Sequence, residues 1–197
     1  MGPCSASGRF VAYVLQPGAL SFGFFAIAAA SPLLTKDLLG MGGVEYGLYF
    51  MMFPIGYTSG NWISVRLSGR VPIDTMVLLG SVLAFIIFAG QAVLILAGNL
   101  SPLLIFLPGG LVSFAQGLSM PNSQAGAMRI APGLAGTAAG LGVFMQMFLP
   151  AVSSELFGIL SDGTALPMIE LTMTGAVVAL GAAIAAFIFG RRALVPA

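Results

Sequence analysis

The sequence predicts an all-α membrane protein with six transmembrane helices, and three observations carry that prediction. Of its 197 residues, 58% are hydrophobic and only 7% charged, with a mean hydropathy of +1.05. A water-soluble domain carries nearer to about 25% charged residues, so this chain has too few to clothe a surface facing water. The charges are also clustered: residues 10–35, 46–65, 75–128, 130–154 and 171–190 contain no Asp, Glu, Lys or Arg. These windows are continuously apolar, without the alternation of a membrane β-strand, which favours helices over a barrel.

A hydrocarbon core about 30 Å thick takes about 20 helical residues to cross. Four of the windows hold one span each. The 54 residues of 75–128 would form a helix about 81 Å long at about 1.5 Å per residue, so this segment must fold back. Gly98-Asn99-Leu100-Ser101-Pro102 supplies the turn chemistry. The expected spans are 10–33, 46–65, 75–97, 103–127, 136–158 and 168–190, in a single domain over 1–197. The polar stretch SMPNSQAGAMRIAPGLAGTAAG (119–140) fits a hairpin between the fourth and fifth spans. Arg129 marks the membrane surface, Pro132-Gly133 makes the turn, and Gly136 to Gly142 open the fifth span with a face suited to close packing.

Six spans put both termini on one side, together with the 66–74 and 128–135 loops. That side carries Arg9, Arg66, Arg70, Arg129, Arg191 and Arg192, and the other only Lys36. The asymmetry predicts that both ends are cytoplasmic. Asp37, Glu45 and Asp162, with Glu155 and Glu170 near that interface, fall mostly on the opposite side.

Helix-disturbing residues sit inside several spans: Pro17-Gly18, Pro54 and Gly56, Pro108-Gly109-Gly110 with Pro121, and Pro150. Proline frees backbone groups that a membrane interior must re-satisfy. Such kinks either shape helices for packing or bend them around a cavity. Arg9, the apolar run after it and Ala26 to Ser31 loosely resemble a cleaved signal segment, but the run is long for that role.

Chemistry is constrained as well. There is no histidine and a single cysteine, Cys4, so neither an internal disulfide nor a thiolate or imidazole metal site is expected. Ser–His and Cys–His catalysis is excluded, and a Ser–Lys pair would need Lys36, on the outer side. No enzyme activity, metal, cofactor or nucleic-acid partner is expected.

Several segments carry a family resemblance. GLSMPNSQAGAM (117–128), PGLAGTAAGLGVFMQ (132–146) and SDGTALPM (161–168) resemble the major facilitator superfamily, more narrowly the carboxy-terminal half of Bcr/CflA-type multidrug efflux proteins. FGFFAIAAASPLL (22–34) and YGLYFMMFPIGYTSGNWISVRLSGR (46–70) are similar to the seventh and eighth spans of such a transporter. Asn122, Ala135-Gly136-Thr137-Ala138 and Pro167-Met168 are the most telling positions. The superfamily's cytoplasmic loop signature is partly echoed by Arg66-Leu67-Ser68-Gly69-Arg70, with no Asp before Arg66.

The resemblance implies one half, with 3+3 helices, of a twelve-span exporter of small amphipathic compounds, drug-efflux-like and proton-coupled. It would sit in a bacterial inner membrane. Its partners would be the lipid bilayer, a small-molecule substrate and a second six-span half from the same gene, a separate chain or a second copy. The MGPCSASGR start reads as a start within an inter-half linker. A non-transporting structural or assembly subunit is the alternative.

In such a half, spans one, two, four and five line the central cavity. Gln116 and Gln146 fall near the membrane midplane by depth, and Phe22, Phe25, Tyr49 and Phe53 would bring aromatic surface there. Asn122 lies toward the cytoplasmic end. For the glutamines, interhelical hydrogen bonding without a ligand is the competing reading; for the aromatics, packing or an interfacial belt with Tyr13, Tyr46 and Trp62. Arg66, Arg70 and Arg129 are the cytoplasmic loop and gating candidates. No carboxylate lies at mid-membrane depth, so the proton-carrying residue is expected in the other half.

Overall fold

The computed structural model describes residues 3–192 and is helical nearly throughout. The helices are α1 (Pro3–Leu33), α2 (Gly43–Phe50), α3 (Met52–Leu67), α4 (Ile73–Leu96), α5 (Pro102–Ile130), α6 (Ala135–Leu160) and α7 (Leu166–Arg192). Five of them, α1, α4, α5, α6 and α7, are long and apolar enough to cross a membrane, among the described residues. They coincide with five of the six expected spans.

The second expected span is divided between α2 and α3. Its cause is Pro54, which has no N–H to return to the Phe50 carbonyl and whose ring crowds that oxygen. Met51 keeps right-handed helical dihedrals, φ −60° and ψ −18°. Its neighbours still bond across the break, Met51 N to the Gly47 oxygen at 3.3 Å and Ile55 N to the Met51 oxygen at 3.2 Å. The other internal prolines, at 17, 108, 121 and 150, sit inside uninterrupted helices.

The turns follow local chemistry. After α4, Gly98 takes φ +86°, a left-handed conformation that glycine enters without steric cost. Ser101 then caps α5 by accepting from the Leu104 N–H at 3.3 Å. Between α6 and α7, Asp162 accepts from the Thr164 hydroxyl at 2.6 Å and the Thr164 N–H at 2.9 Å. These bonds, the hydroxyl's foremost, hold its carboxyl below the ordinary value. Beyond Pro32, α1 widens into a π turn over Leu34–Leu38. The small-residue run Ala26 to Ser31 lies inside packed α1, with Ala26, Ile27 and Ala30 fully buried.

Helices α1 and α5 form the centre. α1 packs on α5, α6 and α7, α5 packs on α3 and α4, and α4 touches α7. One apolar cluster, including Leu20, Ile27, Phe88, Phe106 and Met168, fills one end. A smaller one around Tyr13, Val77, Ala127, Ala183 and Ala186 fills the other. Outward faces of α4 and α7 are apolar, with Ile86, Val93 and Val177 exposed. Water would not tolerate a continuous surface of this kind, whereas lipid does.

Backbone contact is closest where α3 lies on α5. A Cβ at Gly56 would run into the Gly110 carbonyl, one at Gly60 into the Phe114 carbonyl, and one at Gly117 into the Tyr57 carbonyl. The close-packing face expected at Gly136 to Gly142 is not used this way. Gly136 and Gly140 have nothing within 4 Å, and a Cβ on Gly142 would meet only the Gln124 side chain at 3.9 Å. The Gly136–Gly140 pair allows close approach but has no helix seated on it, whereas Ala138 and Gly142, on the neighbouring face, are buried.

Polar ties cross the core. Gln16 is fully buried; its Nε2 donates to Ser81 Oγ at 2.9 Å and Ser119 Oγ at 3.3 Å, and its Oε1 accepts from Ser123 Oγ at 2.7 Å. One amide thus joins α1, α4 and α5. Ser81 and Ser119 also donate to carbonyls of their own helices, so they are not orphaned if Gln16 is lost. Buried Ser123, whose hydroxyl donates to Gln16, loses its acceptor, so Gln16→Leu is expected to cost about 1–2 kcal/mol, read as a drop in thermal midpoint in detergent.

Candidate functional site

A cleft of about 410 Å³ opens between α1, α3, α5 and α6. Its composition follows from helical spacing. α1 contributes Ser21, Phe24 and Phe25, α5 contributes Gln116 and Met120, and α6 contributes Gln146, Met147, Pro150 and Ser154. Residues three or four apart share one helix face, so each helix presents a single stripe. Tyr57 of α3 closes the remaining side. No Asp, Glu, Lys or Arg lines the cleft. Its polarity comes from two amides and small hydroxyls on aromatic and thioether walls.

The two glutamines differ. Gln116 is buried, and its Nε2 donates to the Leu20 carbonyl at 3.2 Å, tying α5 to α1. Gln146 Nε2 is shielded from solvent yet has no hydrogen-bond partner. An unpaired buried donor carries a cost of about 1–3 kcal/mol.

Of the residues expected to line a cavity, Phe25, Gln116 and Gln146 do so. Phe22 packs on the larger apolar cluster, and its carbonyl accepts from Ser153 Oγ at 2.7 Å. Tyr49 stacks on Phe106, with centroids 5.5 Å apart. Phe53 is buried against Phe24, at 5.2 Å, and fills the space left by Gly109. Asn122 donates to Ser64 Oγ at 2.7 Å and to the Leu118 carbonyl at 2.8 Å, bridging α5 and α3.

Ser21, Phe24, Tyr57, Met120, Met147 and Ser154 line the cleft without having been expected there. A stepping of three or four residues from Phe25, Gln116 and Pro150 would have found Ser21, Met120 and Ser154.

At the opposite end from the α2 turn, Arg66 stacks its guanidinium 3.8 Å from the Trp62 ring. Arg70 is exposed beyond α3, and Arg129 is exposed in the last turn of α5. The ion pair among the described residues joins Arg9 to Asp74 at 2.7 Å, with Tyr13 donating its hydroxyl to the other carboxylate oxygen. This cluster links α1 and α4, and a Cβ at Gly190 of α7 would intrude on the same carboxylate.

The chain is similar to an uncharacterized MFS-type transporter, YvkA, of Bacillus subtilis (strain 168), at 25% identity over 162 residues. That similarity covers 80% of this chain but 36% of YvkA. The match supports the major facilitator superfamily. The chain spans about a third of that relative's length. It matches no protein-family model and no solved structure. The apolar helices and this relative together indicate an integral membrane protein.

Proposed function

We propose that this chain is a six-span half of a major-facilitator-type exporter, of the Bcr/CflA kind and corresponding to the carboxy-terminal half, moving small amphipathic compounds by alternating access. The observation that carries this reading is the uncharged cleft, with two amides and several aromatic rings set among α1, α3, α5 and α6. A concave, mostly apolar site with a few polar groups is the usual form of a small-molecule site.

The packing pattern supports a 3+3 arrangement, with α2 and α3 counted as one bent span. Exchanging each of the first three spans with the one three later turns α1–α6 into α5–α3 and α1–α7 into α5–α4, while α1–α5 and α4–α7 map onto themselves. Internal repeats of this kind place a substrate site at the repeat interface and permit rocking against a second bundle. Exposed Ile55, Tyr57 and Trp62 on α3 and Val143, Phe144, Met147 and Phe148 on α6 offer that second half an apolar surface. Arg66, Arg70 and Arg129 stand at the cytoplasmic rim, where they would meet the partner's loops.

In this reading both termini are cytoplasmic and the membrane is a bacterial inner membrane. Proton coupling requires a group supplied by the other half, since no carboxylate or histidine lines the cleft. Flux of an amphipathic dye in reconstituted vesicles tests the proposal. It is expected only when a six-span amino-terminal half is co-reconstituted. Flux from this chain alone would make it a self-sufficient carrier, and none with any partner would favour a structural subunit.

A further inference from the structure

We propose that Gln146 is the specificity-determining residue of the cleft, and that the cleft takes an uncharged aromatic molecule bearing a carbonyl-type acceptor oxygen. This rests on the reading of the cleft as a substrate site and narrows its ligand class. Gln116 has one N–H of its amide committed to the Leu20 carbonyl, which anchors its side chain within the fold. Gln146 does not; it lines the same cleft with its Nε2 turned out of the open space and unpartnered, and rotation about the soft terminal amide torsion brings that donor to a ligand. A donor held away from water gains most from an acceptor brought in by a ligand, because its desolvation has already been met in the empty site. Phe24, Phe25 and Tyr57 supply ring faces around it, which suit an aromatic body. No lining side chain carries a charge, so an ionised ligand would enter with no counter-charge.

Benzophenone is a suitable probe, being neutral, biaromatic and a ketone. On irradiation its triplet carbonyl takes a hydrogen atom from a neighbouring C–H, and the resulting radicals join as a C–C bond, with methionine side chains favoured. Met120 lines the cleft and is 8% exposed, whereas Met51, in a separate surface groove with Ile55 and Trp62, is 54% exposed and serves as the control outside the cleft.

In nanodiscs, mass spectrometry is expected to find Met120 labelled in the wild type and labelled about fivefold less in Gln146→Leu, the scale of one hydrogen bond. Met51 labelling should stay constant. Gln146→Asn, which keeps an amide donor, should retain more than Gln146→Leu, and Gln91→Leu, which removes an amide outside the cleft that donates to the Leu104 carbonyl, should change labelling less than about twofold. Excess fluorenone, a neutral ketone, should displace the label, and tetraphenylphosphonium at equal concentration should not.

Equal labelling of Met120 in wild type and Gln146→Leu would overturn the assignment. So would Gln146→Asn falling as far as Gln146→Leu, or displacement by the phosphonium cation. Labelling of Met51 with none at Met120 in the wild type would reject the cleft itself as a ligand site, a separate failure from the loss of Gln146's role.

Discussion

Gly60→Ala lowers the stability of the detergent-solubilised protein by about 2–3 kcal/mol, while Gly140→Ala leaves it unchanged or slightly raised. Both glycines stand at the end of a small-xxx-small pair in an apolar helix, Gly56 with Gly60 and Gly136 with Gly140. At Gly60 the new methyl group would occupy the space of the Phe114 carbonyl oxygen. Neither partner there is a flexible side chain that can turn away. α3 must then lift from α5, breaking contacts along the Gly56, Gly110 and Gly117 line as well. Helix association in lipid depends on such packing because hydrocarbon offers no competing hydrophobic drive. At Gly140 nothing lies within 4 Å, and alanine is the better helix former by up to about 1 kcal/mol. Thermal unfolding of the two variants side by side reads the difference.

Asp74→Ala is the second large effect, with an expected loss of about 2–3 kcal/mol. Removing one member of a buried ion pair costs about 3–5 kcal/mol because the other charge is left unpaired. The side chains of Arg9 and Asp74 retain 21% and 19% exposure, so water screens part of that cost. The carboxylate also takes the Tyr13 hydroxyl, and Arg9 Nε is already buried without a partner. Asp74→Asn keeps an acceptor but no charge and should lose less. Arg9→Met combined with Asp74→Ala should recover part of the loss, because the stranded charge is gone. Gly190→Ala should injure the same cluster by pressing a methyl group onto the carboxylate.

The helices were legible because charge is the scarce resource in this chain. Every residue that cannot enter hydrocarbon marks an end, so Arg9, Asp74, Arg129 and Glu155 delimit the windows without any appeal to propensity. Pro54 was visible as a disturbance, but whether it bends or breaks a span depends on whether its neighbours keep their bonds, as Met51 and Ile55 do. Of the two small-residue pairs, the sequence singled out the one without a partner. The pattern at Gly136 and Gly140 equals that at Gly56 and Gly60. What distinguishes them is that α5 brings Gly110 and Gly117 to α3, a fact of topology.

The cleft was partly legible for a related reason. Counting from the membrane faces gives depth, and depth found Gln116 and Gln146. It does not give rotation, and each helical residue turns by about 100°. Phe53 and Asn122 are therefore on the cavity's helices but turned into the α3–α5 contact, and Tyr49, on α2, stacks on α5. Gln16 and the Arg9–Asp74 pair escaped notice because their meaning lies in partners 65 or more residues away.

Whether α2 and α3 together cross the bilayer decides between six spans and five, and with it the reading as half of a twelve-span carrier. Native Cys4 and an introduced Ala197→Cys, labelled separately with a membrane-impermeant maleimide in right-side-out and inverted vesicles, test this directly. An even number of crossings predicts that both react from the same face, and cytoplasmic ends make that face the one exposed in inverted vesicles. Labelling of the two ends from opposite faces would mean an odd number, with α2–α3 lying outside the membrane core, and would contradict the account.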